Sequence, residues 1–75
     1  MTWNPTTSGT PAKKWRTGKT DVAYALDEAQ PCTSEAKAFA AARDLTASGH
    51  AVTVWHFEGG HWRTFEKLDA AGQPA

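Results

Sequence analysis

The sequence feature that most limits the fold is a pair of glycines, Gly59-Gly60, between two runs of residues that favour β-strands. The first run extends over residues 52–57 and the second over residues 62–67. Both runs are rich in β-branched and aromatic residues, and a two-residue Gly-Gly connection between such runs is typical of a β-hairpin. The sequence therefore predicts an antiparallel hairpin with a tight turn.

One face of this hairpin is predicted to be aromatic. In a hairpin with a two-residue loop, Phe57 lies opposite Trp62, and Trp55 lies opposite Thr64. Directly opposed residues share a face of the sheet. The pattern therefore predicts a single face that carries Trp55, Phe57 and Trp62.

The other face of the hairpin is predicted to be apolar as well. There, Val54 is expected opposite Phe65, and the residues expected on this face are Val52, Val54 and Phe65, with His56 and Arg63 at its end. A shift of one residue in the register would change the partners but would still leave large apolar side chains on both faces. A single helix can cover only one face, so the second face needs another cover.

A helix is predicted immediately before the hairpin. Thr33 or Ser34 can cap its N-terminus, and Glu35 in the first turn suits the positive end of the helix dipole. The helix is expected to end at about Ser48, because Gly49 is a natural C-terminal stop. Its apolar stripe comprises Ala38, Phe39, Ala42, Leu45 and Thr46.

The chain before the helix is predicted to add one or two strands. Residues 13–17 favour a short strand and residues 18–19 a turn, while residues 20–27 alternate between larger apolar residues and alanines, which is typical of a strand. A short helix is the alternative for residues 20–27, and residues 28–32 are interpreted as a loop. The predicted fold is α+β: a small two-layer sandwich of an antiparallel three- or four-stranded sheet and one helix, in the order β-β-α-β-β or β-α-β-β.

Seventy-five residues make one small domain. We predict a domain over residues 13–68, a flexible leader over residues 1–12 that is rich in Thr, Pro, Gly and Ser, and a flexible tail over residues 69–75. The larger side chains of the core are expected to be Trp15, Tyr24, Leu26, Phe39, Leu45, Val52, Val54, Trp55, Phe57, Trp62 and Phe65.

No catalytic or cofactor motif is complete in the sequence. Residues 17–20, Thr-Gly-Lys-Thr, match the end of a phosphate-binding loop, but Lys13 stands where that loop needs a glycine. The three histidines and Cys32 fit no zinc spacing. Cys32 precedes the predicted helix, yet no oxyanion loop accompanies it, so we interpret it as a small apolar filler. We therefore expect no enzymatic activity, no cofactor and no metal.

Charge and hydropathy narrow the possible partners. The formal net charge is zero, which argues against a general nucleic-acid or membrane binder, and no apolar run approaches the length of a membrane span. Four basic residues and no acid precede residue 21, whereas four acids and no base lie between residues 21 and 35. With no secretory signal, an intracellular location is expected.

The aromatic hairpin face is the candidate binding site. Basic and aromatic side chains from both ends of the chain are expected near it, so the candidate binding residues are Trp55, Phe57, Trp62, Arg63, Lys13, Lys14, Trp15 and Arg16. We expect a module that binds another protein, as an adaptor or an inhibitor of a larger assembly. The alternative functions are a single-stranded nucleic-acid binder and a homodimer joined through its sheets. The alternative to a binding site is that Trp15 and the leader of the same chain bury this face.

Overall fold

Residues 11–75 of the chain are described by a computed structural model. Six elements follow one another: β1 (Trp15–Lys19), α1 (Ala25–Glu28), β2 (Gln30–Cys32), α2 (Glu35–Ala47), β3 (Val52–Glu58) and β4 (His61–Leu68). The four strands form one antiparallel sheet in the order β2-β1-β3-β4, and α2 packs on it. The predicted α+β fold is therefore confirmed. Most of the predicted leader lies outside the described residues, and the domain limits stay a prediction.

The predicted hairpin is formed by β3 and β4, with one irregularity. Glu58 pairs with His61 across the two glycines, whose φ angles of 61° and 83° are those that the tight turn requires. Farther along, the register shifts at a β-bulge, so that Val54 pairs with Glu66. The predicted pairing of Val54 with Phe65 is therefore wrong, because Phe65 is the extra residue of the bulge.

The core lies between α2 and the middle of the sheet. Val52 and Val54 of β3 are fully buried, and so are Ala38 and Ala42 of α2. The hydroxyl of Thr17 in β1 donates a hydrogen bond of 2.8 Å to the Ala38 carbonyl, which requires the helix backbone to lie close to the strand. Small side chains on α2 permit this approach. The partly buried residues around this core are Trp15, Phe39, Ala41, Leu45 and Leu68.

Several of the expected core residues are less buried than predicted. Tyr24 is 77% exposed and Phe65 is 46% exposed, so neither belongs to the core. Phe39 and Leu45, predicted on the apolar stripe of the helix and in the core, are only partly buried. Cys32 is buried beside the alanines, in agreement with its interpretation as a filler.

The ends of α2 follow the predicted signals. The Ser34 hydroxyl accepts a hydrogen bond of 3.2 Å from the Lys37 amide, which satisfies one of the free amide groups of the first turn. The helix ends at Ala47, and Gly49 follows with a φ of 89°. Local capping chemistry therefore determines both boundaries.

The region before α2 differs from the prediction. The strand predicted over residues 20–27 is wrong, because turns and the short helix α1 occupy this region. Alternating alanines are compatible with the period of a strand and with the period of a helix, and packing decides between the two structures. Gly18, predicted in a turn, lies within β1 under Ala29, and a Cβ at Gly18 would lie only 3.0 Å from the Ala29 Cβ. The loop predicted over residues 28–32 contains β2, an edge strand that tolerates Pro31.

The last residues return to the end of β4. Pro74 forms an isolated bridge with Leu68, and the Ala75 amide donates to the Lys67 carbonyl. The Asp69 carboxylate accepts hydrogen bonds from the amides of Ala71 and Gln73. These bonds define a turn at this end, while the flexibility predicted for residues 69–75 stays a prediction.

Candidate functional site

The two faces of the sheet have different covers. Thr17 bonds to α2, and its register partner Val54 is buried beneath that helix, so both lie on what we call the helix face. Successive strand residues point to opposite faces, so Arg16 and Trp55, which also pair with each other, lie on the opposite side, the open face. α1 covers the open face around Gly18 and contacts Arg16 through the Leu26 carbonyl. The remainder of that face is the candidate site.

Three aromatic residues, which we call the aromatic face, lie together on the open face: Trp55, Phe57 and Trp62. Phe57 and Trp62 are register partners, and their rings meet edge to face with centroids 5.2 Å apart. All three side chains are half-buried. The predicted grouping of these aromatics is thus found, although none is as exposed as a free surface residue.

Arg16 links the aromatic face to α1. Its guanidinium carbon lies 4.5 Å from the centroid of the Trp62 ring, a cation–π distance. A guanidinium nitrogen also donates a hydrogen bond of 3.0 Å to the Leu26 carbonyl. These two contacts hold Arg16 between the short helix and the indole. The Trp62 ring is therefore fixed on one side by Phe57 and on another by Arg16.

Two of the predicted site residues lie on the helix face instead. Trp15 pairs with His56, which in turn pairs with Arg63, so strand alternation directs all three away from the aromatic face. The expectation that Trp15 and Arg63 contribute to that face is wrong. Trp15 does not cover the aromatic face either, so the hypothesis that Trp15 buries this face is wrong. The same hypothesis for the leader concerns residues 1–10, which lie outside the described residues.

The predicted lysines differ in their relation to the aromatic face. The Phe57 amide donates a hydrogen bond of 2.9 Å to the Lys14 carbonyl, which continues the ladder one residue beyond β1 and sets Lys14 opposite Phe57 on the open face. Lys13 is exposed and precedes this ladder. Lys67 also lies on the open face, where it pairs with Thr53, because the bulge reverses the alternation after Phe65. A bulge has no clear signal in this sequence.

The helix face carries a second aromatic cluster. Trp15 stacks on His56 with ring centroids 4.2 Å apart, and Phe65 meets Trp15 edge to face at 4.9 Å. Phe39 of α2 lies 6.1 Å from Phe65. Because α2 supplies one member, this cluster is part of the packing between the two layers, and only Phe65 extends well into solvent.

The structure gives less support to a metal site, a reactive thiol or a ligand cavity. Within residues 11–75, no three His, Cys, Asp or Glu side chains come close enough to hold a metal ion. The Cys32 thiol is buried and donates to the Gln30 carbonyl. A cavity of about 280 Å³ lies beside Gly18, lined by Lys19 and Glu28 among others. None of the helices in this part of the chain is long and apolar enough to cross a membrane.

No family model, curated protein or solved structure matches this chain.

Proposed function

We propose that this chain is a non-enzymatic protein-binding module, an adaptor or an inhibitor of a larger assembly, that docks through its aromatic face. The observation that carries the proposal is the grouping of Trp55, Phe57 and Trp62 on the sheet face opposite α2, with Arg16 against the Trp62 ring. Trp and Arg are enriched among the residues that dominate the free energy of protein association.

The fixed geometry of Trp62 supports this proposal. Phe57 holds the indole edge to face, and Arg16 is itself held by the Leu26 carbonyl. Ordering a mobile side chain at an interface costs about 0.5–1.5 kcal/mol, so a side chain that is already held loses less on binding. A partner therefore meets a surface that is largely pre-organised.

A single-stranded nucleic-acid binder is the second candidate. Aromatic and basic side chains on one face of a sheet are the arrangement on which unpaired bases stack. Two observations rank it lower. A base that stacks on Trp62 must share the ring with Arg16, and the whole chain has a formal net charge of zero, whereas such binders use an excess of positive charge.

Selection from a phage-displayed library of random short peptides tests the proposal. We expect peptides that bind the wild-type protein and lose at least about 2 kcal/mol of binding free energy with Trp62→Ala, as interface hot spots do. Phe65→Ala is the matched control, because Phe65 is an aromatic residue of the same strand on the helix face. Isothermal titration calorimetry measures the binding, and far-UV circular dichroism checks that each variant is folded.

A selection that yields no binding peptide would contradict the proposal. Peptides that bind Trp62→Ala as well as they bind the wild type, but fail to bind Phe65→Ala, would move the site to the helix face. Salt-sensitive binding of single-stranded oligothymidylate that is lost with Trp62→Ala would favour the nucleic-acid candidate. Light scattering across a range of protein concentrations tests the homodimer, which would show a mass that rises with concentration.

A further inference from the structure

The charged residues of the strands, together with Lys14 directly before β1, are divided between the two faces of the sheet. On the open face they are Lys14, Arg16 and Lys67, all basic. On the helix face they are Lys19, Glu58, Arg63 and Glu66, of both signs. The described strand positions that border the aromatic face, with Lys14, therefore carry three positive charges and no carboxylate, although the formal net charge of the whole chain is zero.

Within the described residues, the acidic side chains near α1 accept no hydrogen bond from the basic residues of the open face. The guanidinium of Arg16 donates to the backbone carbonyl of Leu26 and not to the neighbouring Asp27 carboxylate. Glu28 lines the cavity beside Lys19 and Leu45, next to Gly18, where α1 covers the sheet. Lys14 lies at the other end of the open face, opposite Phe57, and is exposed.

From this charge distribution we infer that the partner of the aromatic face is an acidic protein segment, with apolar side chains that pack on Trp55, Phe57 and Trp62 and carboxylates that reach Lys14 and Lys67. The inference rests on the proposed function. Charged groups at the border of an interface steer the encounter and select partners. A second copy of the same face would oppose like charges, so the same observation disfavours a face-to-face homodimer.

The experiment compares peptides selected on three proteins from one random phage-displayed library. The first protein is the wild type, and the second is Lys14→Glu/Lys67→Glu, which reverses the charge of the open face. The third, Lys37→Glu/Arg43→Glu, makes the same change in net charge on exposed positions of α2. Circular dichroism establishes that all three are folded, and titration calorimetry gives the affinities of the selected peptides.

We expect peptides rich in Asp and Glu from the wild type and from the α2 variant. The open-face variant should bind these acidic peptides at least about tenfold more weakly, and its own selected peptides should lose their acidic bias. The affinity for the wild type should fall as salt is added, because exposed charges are screened.

Each other outcome contradicts the inference in a recognisable way. Neutral or basic peptides that still require Trp62 would leave the proposed function in place and refute the acidic partner. Equal losses in the open-face and α2 variants would show an effect of net charge alone, which also refutes it. Selection of no peptide, with or without binding of oligothymidylate, would refute both the acidic partner and the protein-binding function.

Discussion

The helix face and the open face are built from the same strands and carry similar numbers of aromatic rings, yet their covers differ. On the helix face, Ala38 and Ala42 let α2 approach the valines of β3 until these are fully buried. On the open face, α1 reaches the region of Gly18 and Arg16, and the aromatic residues beyond it remain half-buried. The comparison shows that the cover of a face, and not its aromatic content, determines which residues are fully buried.

The largest expected effect is on the helix face. Replacing Val54 with Ala removes two buried methyl groups from a fully buried site, and we expect the free energy of unfolding to fall by about 2–3 kcal/mol. Thr64→Ala, at an exposed position of the open face, should change it by less than about 0.5 kcal/mol. Chemical denaturation measures both. Equal losses in the two variants would erase the distinction between the faces.

The cover of the open face is tested at Gly18. A Cβ there would lie 3.0 Å from the Ala29 Cβ and 3.1 Å from the Ala29 Cα, so α1 must move away from the sheet. We expect Gly18→Ala to lower the free energy of unfolding by about 1–3 kcal/mol, as overpacking does. Hydrogen exchange should become faster at the Glu28 and Ala29 amides, which close the turns of α1. Unchanged stability and exchange would mean that α1 is not held by this contact.

Phe39 marks the border of the helix face. It is partly buried and touches Phe65, which is itself 46% exposed, so Phe39→Ala removes contacts without opening a closed cavity. We expect a loss of about 1–2 kcal/mol in the free energy of unfolding, below the 3–5 kcal/mol of a fully buried phenylalanine. A loss in that higher range, measured by chemical denaturation, would show that Phe39 is the main contact through which α2 packs on the sheet.

The features that the sequence predicted correctly are those decided locally. The turn at Gly59-Gly60, the Ser34 cap and the pairing of Phe57 with Trp62 depend on a few neighbouring residues, and all were predictable. The same holds for the alternation that gathers the aromatic face. Turn chemistry and capping act within a few residues, so a single sequence carries their signals.

The features that were not predictable depend on contacts between distant residues. Residues 20–27 form turns and the start of α1, which packs over Gly18, and their alternating alanines do not encode that contact. The bulge at Phe65 changes which face Lys67 borders, although nothing near it departs from strand composition. Trp15 was expected near the aromatic face, but its position depends on pairing with a strand some forty residues away. Tertiary packing therefore decided the composition of the site.

The smallest expected effect concerns the contact that organises the open face. Arg16 has two partners, the Trp62 ring and the Leu26 carbonyl, so the single replacement Arg16→Met reports the loss of both. A double-mutant cycle with Trp62→Ala isolates the contact between Arg16 and the Trp62 ring. Arg16→Met removes the bond to the Leu26 carbonyl whether or not the indole is present, so the loss of that bond cancels in the cycle. We expect a coupling of about 0.5–1 kcal/mol in the free energy of unfolding, typical of a cation–π contact near solvent.

The control for this cycle is a second one that combines Arg16→Met with Phe65→Ala. Phe65 lies on the helix face, so the two replacements share no partner and should be additive within about 0.5 kcal/mol. If the Arg16–Trp62 cycle were also additive, the guanidinium would not hold the indole, and Trp62 would have to be ordered by its partner on binding. Trp62 would then lose one source of its pre-organisation, and Phe57 alone would hold the ring.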